Sequence, residues 1–228
     1  MLELNKLYLM DCMDGMKTFP DKYFDLAIVD PPYGIGRSGQ TETFTKNHKH
    51  KRKYFIDKKW DIKSPTSEYW KELFRISENM IVWGANYFTK FLPPSMGWVF
   101  WDKGQDLSMS DGELAYTSFN VALRRVVINR VELLKEGTIH PTQKPIKLYK
   151  WLLKKYAKPD FKIIDTHVGS ASSIIAFLDF GCDWIGFEID EDYHKAASER
   201  IEIHKQRPKP FITDGDLVKT KDKPKGFF

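Results

Sequence analysis

The sequence predicts an α/β fold built on an open, mostly parallel sheet. Three observations carry this. Phe24-Asp25-Leu26-Ala27-Ile28-Val29 is a nearly continuous apolar run that stops at Asp30. Phe161-Lys162-Ile163-Ile164 stops at Asp165, and Trp184-Ile185-Gly186-Phe187 stops at Glu188. Such runs read as strands buried on both faces, as in parallel sheets. Each leaves an acid at its carboxyl end, where open α/β sheets place their ligands.

The remaining elements follow in chain order. Leu4 to Met10 is apolar enough for a short strand, and Gly15 to Pro20 forms a short helix or turn. Asp11 sits where it can cap that helix or face a ligand. Asp30 is followed by Pro31 and Pro32, which cannot continue a ladder, and then by Tyr33, whose ring is left free to stack. Pro31 offers a carbonyl with no competing N–H. A carboxylate, a fixed carbonyl and an aromatic face together suit a planar exocyclic amine. Ser67 to Ser77 has helical spacing, with strands expected over 79–84, 97–104 and 113–119 and a short helix over 85–92. The last two strands suit a hairpin. Helices are expected over 146–157, from Ser172 to about Leu178, and over 191–204. Pro145 opens the first at a favourable position.

Composition narrows the class. With 228 residues the chain fits one domain with a substantial core, expected over 1–204, with a flexible basic tail over 205–228. Only Cys12 and Cys182 are present, far apart, so neither a disulfide framework nor a cysteine-based metal site is expected. No apolar run is long enough for a membrane span, no signal peptide pattern opens the chain, and a cytoplasmic protein is expected. The net charge of +5 favours an anionic partner. Its clustering says more. Residues 34–66 lack periodicity and hold Lys46, Lys49, Lys51, Arg52 and Lys53 beside Tyr54, Phe55 and Trp60. That mixture suits phosphate contact with aromatic stacking, although a solvated charge run has the same composition. Arg124 and Arg125 lie in a second basic stretch, 119–139.

Asp30-Pro31-Pro32-Tyr33 resembles the catalytic motif of amino-group DNA methyltransferases, which use S-adenosylmethionine. Ile139-His140-Pro141-Thr142-Gln143-Lys144-Pro145 resembles the motif that precedes their cofactor half. Asp165-Thr166-His167-Val168-Gly169-Ser170-Ala171-Ser172 resembles their cofactor turn, usually Asp-Pro-Phe-x-Gly-Ser-Gly. Thr166 and His167 depart from that form, and Ala171 replaces its last glycine. The catalytic motif precedes the cofactor turn, which resembles the permuted β-class. The Thr-His pair, Trp101-Asp102-Lys103 and Glu113 to Thr117 resemble its phage-type branch.

The resemblance implies a Rossmann-like, circularly permuted methyltransferase fold, with seven strands and an antiparallel hairpin at one edge. It implies that Asp30, Pro31, Pro32 and Tyr33 hold a flipped adenine for methylation at N6 in double-stranded DNA. Asp11, Cys12, Asp30, His140, Thr142, Lys144, Asp165, Thr166, Gly169, Ser170, Ala171, Ser172, Glu188 and Ile189 would hold the cofactor. Among them, Lys144 and Thr142 would meet its carboxylate. Glu188 would take its ribose, at about the twenty-residue spacing from Gly169 expected of such an acid. Arg124 and Arg125 would fall in a short target-recognition region. A restriction-modification setting and a homodimer fit the resemblance. Two alternatives stay open: a cytosine-N4 enzyme, which usually has Ser at position 30, and a non-catalytic DNA- or cofactor-binding subunit.

Overall fold

The computed structural model describes residues 1–39, 54–104, 110–129 and 131–207. They form one eight-stranded sheet with strands β1 (Lys6–Leu9), β2 (Phe24–Val29), β3 (Ser77–Trp83), β4 (Trp98–Asp102), β5 (Gly112–Thr117), β6 (Arg124–Val127), β7 (Lys162–Asp165) and β8 (Asp183–Glu188), in the order β1-β8-β7-β2-β3-β5-β4-β6. Helices α1 (Cys12–Met16), α2 (Ser67–Ile76), α3 (Val131–Glu136), α4 (Ile146–Tyr156), α5 (Ser172–Phe180) and α6 (Glu191–Lys205) connect them. The mostly parallel α/β class is as expected from the sequence.

Two details differ from the expectation. The sheet has eight strands rather than seven, because Arg124–Val127 pairs parallel to β4. Consequently the β4–β5 hairpin is not at the edge, and β5 runs antiparallel to both neighbours, β3 and β4. Only Val126 of β6 is buried, and Arg124 and Arg125 face outward. Charged side chains on a short edge strand blunt further pairing. The same arginines hide its strand character in the sequence.

The buried strand β2 organises the two faces. Its residues alternate, so Leu26 and Ile28 join a core with α4 and α5, while Ala27 and Val29 join one with α2. Tyr69, Trp70, Leu73 and Ile76 are the buried stripe of α2. β2 pairs with β3 on one side and β7 on the other, all parallel. From β2 the chain next joins the sheet at β3, and from β7 it moves the other way to β8. The reversal between β2 and β7 opens a crevice at their carboxyl ends, the ligand position of such sheets. No helix among the described residues is long and apolar enough to cross a membrane.

The basic stretch is pinned at its base. Asp61 is buried and accepts hydrogen bonds from the Gly34 and Arg37 N–H groups at 2.9 and 2.8 Å. Ser38 Oγ donates to Asp57, and a Cβ on Gly39 would lie 2.9 Å from the Asp57 side chain. The chain therefore leaves at Gly39 and is back beside it by Asp57. Lys46, Lys49, Lys51, Arg52 and Lys53 lie outside the described residues, as does most of the expected basic tail.

Candidate active site

Asp30 follows β2 directly and lines two cavities that meet in the crevice, of about 260 and 630 Å³. Tyr33 donates its hydroxyl to Asp30 Oδ1 at 2.8 Å, and Lys144 Nζ donates to Oδ2. The Tyr33 ring is not free as expected. It stacks on Tyr87 with centroids 5.0 Å apart and planes 16° from parallel. Gly84, at φ +64°, leaves it room, since a Cβ there would lie 2.1 Å from the ring. Residues 85–92 give only a 3₁₀ turn, Ala85–Tyr87, which presents Tyr87 to Tyr33 while Phe88 turns into the core.

Lys144, which the resemblance places at the cofactor's carboxylate, lines the smaller cavity, and its buried ammonium lies between Asp30 and Glu113, with Glu113 Oε2 at 3.3 Å. Lys103 Nζ holds the other Glu113 oxygen at 3.0 Å. Four alternating charges thus run Asp30, Lys144, Glu113, Lys103. Burial raises the Asp30 carboxyl above its usual range against the pull of Lys144. Burial would lower the Lys144 ammonium, but Asp30 and Glu113 hold it above the usual lysine range. Burial would raise Glu113, but Lys144 and Lys103 hold it below the usual carboxylate range. Sequence reasoning missed Glu113 and Lys103 as site residues. Their meeting depends on the hairpin register, which sets Trp101 opposite Glu113.

The smaller cavity brings together most residues assigned to the cofactor: Asp11, Cys12, Asp30, His140, Thr142, Lys144, Thr166, Gly169, Ser170, Glu188 and Ile189. Asp165, Ala171 and Ser172 do not line it. Asp165 is buried behind the turn, accepting from the His167 N–H at 3.0 Å and Ser173 Oγ at 2.5 Å. Burial pushes its carboxyl up to about 7. Ser172 Oγ faces Arg200 Nη1 at 3.0 Å, and Ala171 is fully buried at φ +59°, the left-handed conformation that suits the usual glycine. Thr166 Oγ1 bonds Tyr69 at 2.7 Å and the His167 ring at 2.9 Å, which gives the Thr-His departure a packing reason. Burial pushes His167 down to about 4 and His140 down to about 3, so both rings are neutral.

Glu188 closes the turn from the other side. Its oxygens accept from the Gly169 and Asp190 N–H groups at 2.8 and 2.9 Å. A carboxylate offers about four acceptor positions, so capacity for two hydroxyl donors remains. Asp11 Oδ1 caps α1 through the Met13 N–H at 2.8 Å, and the residue also lines the cavity. Strand-end acid, glycine turn and exposed Ile189 fit a nucleoside-bearing ligand such as S-adenosylmethionine. Burial pushes the Cys12 thiol up to about 12. Trp60, also unforeseen here, lines both cavities and packs on His140 at 5.1 Å. Lys58 anchors that segment on Asp190 and Asp192, each at 2.6 Å. On the edge strand, Arg125 is already held by Asp102 at 2.5 and 2.9 Å, and Arg124 is exposed.

Residues 122–199 match a family of DNA methylases. The family takes in both N6 and N4 amino-methylases. The chain is 23% identical over 209 residues to YubD of Escherichia coli strain K12, named as a methylase, covering 84% of this chain and 87% of that one. Among solved structures, the M1.HpyAVI–SAM complex superposes with a TM-score of 0.57 at 16% identity, covering 86% of this chain and 98% of that one. PvuII DNA methyltransferase, cytosine-N4-specific, superposes with a TM-score of 0.57 at 13% identity, covering 93% and 89%. The fold is that of the S-adenosylmethionine-dependent DNA methyltransferases. Together the methylase matches support a DNA methyltransferase.

Proposed function

We propose that this protein methylates adenine at N6 in double-stranded DNA, as a permuted, phage-type β-class enzyme. The carrying observation is the position of Asp30, at the carboxyl end of β2 where the two cavities meet. One cavity, with Glu188 and the Gly169 turn, suits S-adenosylmethionine. The other, with Pro31, Tyr33, Tyr87 and Trp101, suits an extruded base. Extrusion costs a few kcal/mol of unstacking, offset by stacking and hydrogen bonds in the pocket.

When bound, S-adenosylmethionine supplies an electrophilic methyl group. The chain's own groups prepare the nucleophile. The N6 lone pair of adenine is delocalised into the ring. Asp30 and the Pro31 carbonyl would hold the two amine hydrogens, localise that lone pair and stabilise the positive charge that develops. Trp60 and the Lys58 anchor would shield the junction from water. The basic residues 46–53, with Arg124, would contribute phosphate contacts.

Asp at position 30 favours adenine. The likeness to a cytosine-N4 enzyme favours a second reading, in which the same grip holds the cytosine amine. Unmodified genomic DNA incubated with protein and labelled S-adenosylmethionine, then digested to nucleosides and resolved by mass, separates the two. Label in N6-methyladenine is expected. Label in N4-methylcytosine would overturn the adenine assignment, and none in DNA would overturn the enzymatic reading.

A further inference from the structure

The buried lysine beside Asp30 presents a chemical problem. An amine gaining positive charge during methyl transfer needs the full negative charge of the carboxylate that holds it. Lys144 Nζ donates to Asp30 Oδ2 and so neutralises that charge. It also lies 3.3 Å from the Tyr33 hydroxyl, against the same motif. An ammonium left there would repel the forming cation.

We propose that Glu113 is a positioning residue that draws the Lys144 ammonium off Asp30 when the target base enters. The proposal rests on the methyltransferase reading above. Its geometry is direct. Glu113 Oε2 already lies 3.3 Å from Lys144 Nζ, so transfer between carboxylates needs only rotation near the end of one side chain. Lysine stays paired throughout, and the charge it uncovers on Asp30 is met by the Tyr33 hydroxyl, 2.8 Å from Oδ1, and by the hydrogens of the entering amine. Lys103 grips the other oxygen, Oε1, at 3.0 Å and keeps Glu113 ionised and aimed. Glu113 also lines the larger cavity with Asp30, Tyr33 and Trp101, so an entering base would meet the arrangement. The Trp83 ring, 5.5 Å from Nζ, offers the ammonium a favourable aromatic face.

The test is single-turnover methyl transfer to amplified, unmodified genomic DNA with saturating labelled S-adenosylmethionine, beside calorimetric titration of the cofactor. Glu113→Gln keeps the shape and removes the charge. Its transfer rate should fall about 10- to 100-fold, with cofactor affinity within about twofold of wild type. Glu113→Asp restores the charge and should recover part of the rate. Should Glu113→Gln fold poorly, Lys103→Gln with Glu113→Gln removes one cation as well and balances the buried charges. It should be equally slow, because Lys144 again has no second seat. A Gln variant within about twofold of wild type would overturn the inference and leave the methyltransferase reading intact. So would an Asp variant as slow as Gln, or a rate loss matched by lost cofactor affinity. A wild-type protein that labels no DNA would overturn both.

Discussion

Replacing Asp30 separates its chemical role from its structural one. Asp30→Ala removes the acceptor proposed for the amine, and it also leaves the ammonium of Lys144, whose side chain is only 2% exposed, with Glu113 as its single counter-charge among the described residues. Glu113 already serves Lys103. Two ammonium groups would then share one carboxylate. Breaking a buried pair in this way costs about 3–5 kcal/mol. Asp30→Asn keeps a carbonyl oxygen for Lys144 without the charge. Neutral hydrogen bonds are about half as strong as charge-assisted ones, so this variant should lose ~1.5–2.5 kcal/mol. Both should lose methyl transfer by about two to three powers of ten or more, the usual effect of removing a preorganised group facing developing charge. Urea denaturation reads the first quantity, and methyl incorporation the second. A folded Asp30→Asn variant with near-normal turnover would refute the role of Asp30. Wild-type stability in Asp30→Ala would refute the buried ion pair.

Glu188→Ala should weaken S-adenosylmethionine binding by about 1–3 kcal/mol through lost charge-assisted hydrogen bonds. An unchanged dissociation constant in calorimetry would place Glu188 outside the pocket. Asp165, raised to about 7 in the fold, binds its proton more tightly folded than unfolded, so its contribution to stability declines as pH rises from about 4 to about 7. Asp165→Asn lacks that decline and should gain on wild type across this window, by at most about 4 kcal/mol. A pH-independent difference in urea midpoints would contradict the raised value. Ala171→Gly relieves about 1–2 kcal/mol of left-handed strain but loses a buried methyl worth ~0.8 and admits ~0.4–1 of unfolded-chain entropy. These nearly cancel, and a change above about 1.5 kcal/mol in either direction would show that the balance is wrong.

The parts of the site legible in the sequence are those where one local signal settles the position. Asp30 and Glu188 each end an apolar run, and parallel strands bring such ends to one edge. Gly169 follows β7 within four residues, so its turn must lie there too. What the sequence hides is pairwise. Lys144 reads as a cation for the cofactor's carboxylate until Glu113, on a distant hairpin, is placed against it. Tyr87 stacks on Tyr33 only because Gly84 turns left-handed. Arg124 and Arg125 mask β6, since charge at an edge and charge in a loop look alike in one dimension. Asp165 reads as a cofactor residue like the other strand-end acids. Its true orientation depends on Ser173 and His167, which fold back beneath the turn.

The pinning of Gly39 against Asp57, reinforced by Asp61, makes the base of the basic stretch a socket. Because the chain departs and returns at one fixed point, the intervening segment can be exchanged without moving Asp30, Tyr33 or Trp60. Doubling the length of such a closed excursion adds only about 0.6 kcal/mol of closure entropy. The α/β core and the segment inserted at this socket can therefore evolve at different rates. On the proposed function, a transplant of another loop between Gly39 and Asp57 should alter DNA binding while leaving the frame around Asp30 unchanged.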